Sequence, residues 1–202
     1  MKIVHVEKLI VAGRFAQSGE WRRIRAAVHI AIRSVEWPPG SGKFTIRPES
    51  GKKRGEGNGV KPIKLGLMAK LKNQGWVLEK ALDLATAQRP GKLDAVLETP
   101  TGSIAIEWET GNVSSSHRAL NKMALGLLKG KLAAAVLVVP TRKLYQYLTD
   151  RVGNWDELAP YLDLWKSIPC KKGLLEVVVV EHDGTSKAVR RIPKGTDGRA
   201  TN

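Results

Sequence analysis

Apolar residues along this chain follow two rhythms. From Ser103 to Glu109 they alternate, with Ile104, Ile106 and Trp108 on one side and Ser103, Ala105, Glu107 and Glu109 on the other. A period of two is that of a strand, so it projects both glutamates from one face. Just upstream, Leu93-Asp94-Ala95-Val96-Leu97 reads as a second strand. The turn residues Thr99-Pro100-Thr101-Gly102 join the two as a hairpin. Helical spacing governs other stretches. Gly19 to Val35 places Trp21, Ile24, Val28, Ala31 and Ile32 on one side and Arg22, Arg23, Arg25 and Arg33 on the others, and Trp37-Pro38-Pro39-Gly40 stops it. Ile63 to Asn73 predicts a helix with Leu65, Met68, Ala69 and Leu71 inward and Gly75 closing it. A third helix follows Asn112. Ser114, Ser115 and Ser116 are natural N-caps for it, Leu120, Met123, Leu127 and Leu128 form its apolar side, and Gly130 ends it.

Ala133 to Val139 and Leu174 to Glu181 are continuous apolar runs, which predict strands buried on both faces. Between them, Thr141 to Thr149 predicts a short helix, and Asn154 to Lys166 a helical stretch broken by Pro160. Phe44-Thr45-Ile46 is a short strand, and Trp76 to Leu84 is ambiguous. Glu49 to Asn58 is a Gly- and charge-rich loop, either beside phosphates or simply solvated. From Thr185 onward the chain is polar and basic and reads as an arm. The order of elements implies an α/β fold, a central mixed β-sheet flanked by helices. One domain is expected, 1–202, with 184–202 as a C-terminal arm that binds the polyanionic partner indicated by the chain's charge.

Composition narrows the class. A chain of 202 residues with 42% hydrophobic content can bury a core and is globular. No apolar run is long enough to span a bilayer, and Met1-Lys2-Ile3-Val4-His5-Val6 lacks the features of a signal peptide. The single cysteine, Cys170, has no partner for an internal disulfide, which points to the cytoplasm. No Cys/His spacing suggests zinc. Lys and Arg number 34 against 19 Asp and Glu, and a net charge of +15 favours a polyanionic partner. A ribosomal-type or membrane-surface protein would share that charge.

Such a protein would not need Asp94, Glu107 and Glu109 together. The hairpin brings Asp94 near the end that carries both glutamates. Converging carboxylates repel one another unless a cation sits among them. Oxygen-only ligands suit Mg²⁺, and Mg²⁺ in a polycation points to phosphodiester chemistry on nucleic acid. Two other readings of the same pattern stay open here. The glutamates can belong to the wet face of an exposed strand, or form structural salt bridges with the plentiful Lys and Arg.

The run Glu107-Trp108-Glu109-Thr110-Gly111-Asn112-Val113-Ser114-Ser115-Ser116-His117-Arg118 resembles the signature of the BamHI-type restriction endonucleases. So do Leu148-Thr149-Asp150-Arg151-Val152, Asn58-Gly59-Val60-Lys61-Pro62-Ile63-Lys64 and Ile192-Pro193-Lys194-Gly195-Thr196-Asp197-Gly198. These blocks stand in the family's order from about Trp37 to Gly198, which is far more specific than one short motif. The likeness is to a compact form of the family without a C-terminal helix, and this chain too stops soon after its last block.

The resemblance implies a restriction-endonuclease-like, PD-(D/E)XK core and a type II restriction endonuclease. Such proteins are homodimers that use Mg²⁺ and cut double-stranded DNA at the palindrome GGATCC after its first G, leaving 5′ overhangs. A companion DNA methyltransferase is expected in the host but not as a binding partner. Carried over by position, Glu79, Asp94, Glu107 and Glu109 fall on the active-site acids. Asp94 and Glu107 would bind metal. Glu109 stands where many related nucleases carry Lys and would orient or deprotonate the attacking water. Glu79 would be an accessory carboxylate. DNA contacts would come from Lys61, Asn112, Ser114, Arg118, Asp150 and Arg151, and from Gly195 and Asp197 in a minor-groove block. Chemistry agrees, since arginines can hold guanine O6 and N7 and an aspartate can accept from cytosine N4. Standing alone, Asp150-Arg151 could equally be an ion pair at a helix end. At the positions facing the family's dimer interface the chain carries Leu128 and Lys129, opposite Asp163 and Lys166. A structure-selective nuclease would lack the readout residues, and a noncatalytic DNA-binding protein would have lost one of the acids.

Overall fold

The computed structural model describes residues 1–51, 56–83, 91–149 and 152–193. In chain order its elements are β1 (Lys2–Ala12), α1 (Gly19–Arg33), β2 (Thr45–Ile46), α2 (Lys61–Asn73), β3 (Val77–Ala81), β4 (Lys92–Thr99) and β5 (Gly102–Trp108). There follow α3 (Val113–Leu128), β6 (Leu132–Pro140), α4 (Arg142–Tyr145), α5 (Trp155–Leu158), α6 (Leu162–Lys166), β7 (Gly173–Glu181) and β8 (Gly184–Thr185). Six strands form one sheet in the order β1-β7-β6-β5-β4-β3. β5, β6 and β7 run parallel, and β1, β4 and β3 are antiparallel to their neighbours. This is the expected mixed sheet flanked by helices. β6 and β7 lie in its middle, which is why both are apolar without alternation.

The helices cover both faces. α1 and α2 pack on one, against Ile104, Ile106, Trp108 and Val136. α3, α5 and α6 pack on the other, against Ala105, Leu137 and Val177. Five of the six tryptophans are buried, Trp21, Trp37, Trp76, Trp108 and Trp165, as core residues should be.

Most predicted elements form within a residue or two of their expected bounds, including Pro160, which separates α5 from α6 through a 3-10 turn. The differences have local causes. In α2 the buried positions are Ile63, Leu67, Met68 and Leu71, so Leu65 and Ala69 face solvent. Leu128 is also exposed, because α3 ends there and turns away from the sheet. β1 carries no clear strand rhythm. Its register with β7 shifts twice, between Ile3 and His5 and between Lys8 and Ile10. Each such irregularity swaps the faces and erases the alternation.

The polar stretch from Thr185 is not a free arm over its described part. β8 pairs with β2, Trp37 Nε1 donates to the Arg190 carbonyl at 2.9 Å, and Ile192 is fully buried. Two apolar side chains, Val189 and Ile192, dock this segment on the core, too few to register in the pattern. Residues 194–202, which include Gly195 and Asp197, lie outside the described residues.

Candidate active site

The hairpin β4–β5 pairs Ala95 with Ile106 and Thr99 with Gly102, which brings the start of β4 beside the end of β5. Asp94 is buried there, and its Oδ2 accepts from the Trp108 amide at 2.8 Å. That bond fixes the carboxylate across the strand end. Glu107 is the penultimate residue of β5. Glu109 follows the strand, and its amide donates to the Val138 carbonyl of β6 at 3.0 Å. All three acids line one cavity of about 260 Å³, as the alternation and the hairpin predict.

The same cavity is lined by Lys64 of α2 and by Arg118 and Lys122 of α3. Lys64 pairs with Asp94, and Lys122 pairs with Glu107. The salt bridges that the sequence left open as an alternative therefore exist, and they coexist with the carboxylate cluster. No short-range pattern assigns either lysine to an acid, although Lys64 closes the Asn58–Lys64 block. One signal was available: Lys122 lies four residues after Arg118, so the two share a helix face.

Burial pushes the Glu107 carboxyl up to about 7, and the nearby charge of Asp94 adds to the rise, while Lys122 and Lys64 oppose it. Burial also raises Glu109, against hydrogen bonds from the Gly111 and Thr110 amides that favour its charged form. A lone ammonium on each acid thus leaves residual repulsion between Asp94 and Glu107. Among the described residues no three His, Cys, Asp or Glu side chains are gathered to hold a metal ion. Two carboxylates suffice for Mg²⁺, which keeps several waters and takes its remaining ligands from substrate phosphate. The oxygen-only donors and the residual repulsion fit such a cation.

Glu79 stands apart. The pairs Leu78–Ala95 and Lys80–Leu93 bracket it opposite Asp94. Yet its backbone is left-handed (φ 52°), and its side chain is exposed and does not line the cavity. It is the single non-glycine residue with positive φ among those described, a conformation that costs a side-chain-bearing residue about 1–2 kcal/mol.

Beside the acids stands the N-terminus of α3. Asn112 is its N-cap, with Oδ1 accepting from the Ser115 amide at 3.2 Å, so the serines occupy the first turn rather than the cap. The entry is tight at Gly111: a Cβ there would lie 2.6 Å from Ser115 Oγ and 3.1 Å from Glu109 Oε1, so a side chain would displace one of them. Asn112, Ser114 and Arg118 are exposed around this helix end, where unpaired amides and the helix dipole favour an anion. Arg118 lines both the acid cavity and a wider one of about 780 Å³ along α3, which Ser114 also lines. Lys61 occupies the first turn of α2, three residues before Lys64.

Asp150 and Arg151 lie outside the described residues, but both flanks of the pair are pinned. The Thr149 amide donates to the Asn58 carbonyl at 2.9 Å, and the Gly153 amide to the Gly111 carbonyl at 2.7 Å. Gly153 is so close to α3 that a Cβ would meet Ser116 Oγ at 2.6 Å. Gly153 thus lies beside the α3 N-terminus, and Thr149 beside Asn58. Asn58 itself is fully buried. Its side chain donates to the Arg47 and Tyr147 carbonyls, both at 2.9 Å, and accepts from the Ile192 amide at 3.1 Å.

The family described as "Restriction endonuclease BamHI" matches residues 1–199. The chain belongs to the BamHI family of type II restriction endonucleases. Over 200 residues it is 45% identical to the type II restriction enzyme OkrAI of Oceanobacter kriegii, covering 99% of each chain. Over 178 residues it is 35% identical to the type II restriction enzyme BamHI of Bacillus amyloliquefaciens, covering 85% of this chain and 79% of that one. Its fold is also similar to a crystal structure of restriction endonuclease BglII complexed with a DNA 16-mer, with a TM-score of 0.59 at 9% identity, covering 95% of this chain and 88% of that one. This BamHI-family enzyme is a site-specific deoxyribonuclease. No helix among its described residues is long and apolar enough to cross a membrane.

Proposed function

We propose that this enzyme hydrolyses duplex DNA at GGATCC, cutting after the first G, with Mg²⁺ held by Asp94 and Glu107. The observation that carries the reading is the shared cavity: Asp94, Glu107 and Glu109 line it, and Arg118 links it to an exposed helix N-terminus. A cleavage centre and a base-reading element thus adjoin, as cutting within a recognised sequence demands.

The roles follow from the chemistry. Mg²⁺, when bound, supplies charge neutralisation at the scissile phosphate and lowers the pKa of its water. Asp94 and Glu107 fix its position. The carboxylate of Glu109, held by the Gly111 amide and raised by burial, orients the attacking water and accepts its proton. Glu79, exposed on the neighbouring strand and outside the cavity, is given no part in the step. Arg118 and Arg151 read guanines, Asp150 reads cytosine, and Asn112 and Ser114 complete the contacts at the helix end. Lys61 meets backbone phosphate. The segment from Lys194, with Gly195 and Asp197, enters the minor groove.

A palindrome presents two identical half-sites, so the enzyme acts as a twofold homodimer. Exposed apolar side chains on the elements expected at the interface support this: Leu128 at the end of α3, Tyr161 in the 3-10 turn after α5 and Leu164 on α6 are 48%, 47% and 64% exposed. Lys166 is engaged within its own chain by Glu7 at 2.8 Å, which favours an apolar rather than a charged interface here.

Digestion of plasmid DNA with Mg²⁺, followed by sequencing of the ends, tests the reading. Ends other than G/GATCC refute the recognition site. Full cleavage by Asp94→Asn refutes the metal site.

A further inference from the structure

The two acids assigned to the metal each carry a cation already. Lys64 comes from α2 on one face of the sheet, and Lys122 comes from α3 on the other. Neither is an ordinary surface pair. The lysine side chains are only 21% and 11% exposed and the carboxylates 10% and 12%, and all four groups line the same cavity. The Lys122 ammonium also donates to the Lys92 carbonyl at 2.7 Å. It therefore holds one carboxylate and one carbonyl oxygen, the donor types that a hard divalent ion takes.

We propose that Lys64 and Lys122 are resident counter-ions of the metal site, occupying the cation positions on Asp94 and Glu107 until a divalent ion displaces them. The inference rests on the reading of Asp94 and Glu107 as metal ligands. Two ammonium groups and one divalent cation carry the same charge, so the exchange leaves the two acids equally neutralised. Without the lysines, the metal-free cavity would present uncompensated carboxylates to an incoming phosphate. With them, DNA can approach before the metal, and the displaced ammonium groups remain beside the phosphate. Lys64 and Lys122 are positioning residues in this scheme, setting how tightly the free enzyme loads metal.

Lys64→Gln and Lys122→Gln remove the charge and keep a polar side chain. Mn²⁺ is titrated calorimetrically, under nitrogen, into the DNA-free protein at about pH 8. Each substitution is expected to tighten Mn²⁺ binding on the order of tenfold, and to weaken metal-free binding of a GGATCC duplex by a similar factor. Mn²⁺ affinity that is unchanged or weaker, in variants that melt cooperatively, overturns the proposal, since a purely structural pair lowers the melting temperature alone. Metal-free duplex binding at wild-type strength overturns the neutralising role toward DNA. Asp94→Asn separates the two levels. If it leaves Mn²⁺ binding intact, the metal assignment fails and the counter-ion role with it. If it weakens Mn²⁺ binding while the lysine variants match wild type, only the counter-ion role fails. Lys64→Met and Lys122→Met replace any glutamine variant that does not fold.

Discussion

Glu107 and Glu176 are both enclosed glutamates, two strands apart in one sheet, and they have opposite uses. Glu176 in β7 is fully buried, and Arg25 Nε from α1 donates to its two oxygens at 3.1 and 2.9 Å, with His29 Nε2 at 3.6 Å. Glu107 also has one cation, Lys122, yet burial and the charge of Asp94 push it up to about 7. Arg25 holds both oxygens of its acid through one Nε on a rigid planar group, whereas lysine is a point charge on a flexible stem. Glu107 also shares its cation supply with a second acid and faces a cavity. One carboxylate matched by its own arginine and sealed off is an anchor between helix and sheet. Two carboxylates facing one space, each held by a lysine, fit, on the proposed reading, an exchange for another cation.

The sharpest test of the contrast exchanges each acid for its amide. Glu107→Gln should cut Mg²⁺-dependent cleavage roughly a thousandfold or more, about 4 kcal/mol of transition-state stabilisation, while the protein stays folded. Glu176→Gln should keep its activity per folded molecule. Equal activity in plasmid digestion by both variants would erase the distinction.

Stability should respond the other way. Glu176→Ala leaves Arg25 uncompensated under α1 and should cost roughly 3–5 kcal/mol in denaturant unfolding. A loss within error of zero would mean that the pair holds nothing together.

The pH dependence of the metal-free protein sharpens the point further. The folded value of Glu107, about 7, lies above the ordinary glutamate value of about 4.5. The folded state therefore favours the protonated form. The stability so conferred is complete below about pH 4.5 and is lost as pH rises through about 7, a change on the order of 3 kcal/mol. Glu107→Gln should flatten this slope and melt higher than wild type at pH 8. An unchanged slope would place the raised pKa on another group.

A smaller effect is expected at the helix end. Arg118→Ala should weaken GGATCC binding by roughly 1–3 kcal/mol per guanine contact, and scrambled DNA less. Equal losses on both duplexes would make Arg118 a phosphate contact. Smallest of all, Asn112→Ala should lower stability by about 1 kcal/mol through loss of the α3 cap. A melting curve that does not move would show that Ser114 or Ser115 caps in its place.

Legibility in the sequence followed the range of the interaction. The β4–β5 hairpin, α3 and the central strands were readable because periodicity, turn residues and caps act over a few positions. The placement of Asp94 with Glu107 and Glu109 came with them, since a tight hairpin leaves its two strand ends little freedom. Leu65 and Ala69 misled, because Leu65, Met68 and Ala69 fit one helical stripe and Ile63, Leu67, Met68 and Leu71 fit another, and only packing against the sheet chose between them.

Charge excess, strand rhythm and the ordered motif blocks determined without coordinates that this is an α/β enzyme of the restriction type with acids on a hairpin. Tertiary structure alone decided which cations meet those acids. Lys64 lies 30 residues from Asp94 in sequence and on a different element, and although it closes the Asn58–Lys64 block, nothing in that block says which acid it meets. It likewise decided that β1 closes the sheet despite its broken alternation, and that Ile192 is buried beside Asn58. The physical reason is common to all three. Propensity and periodicity are properties of neighbours along the chain, whereas ion pairing, edge pairing and docking depend on groups brought together only when the helices close over both faces of the sheet.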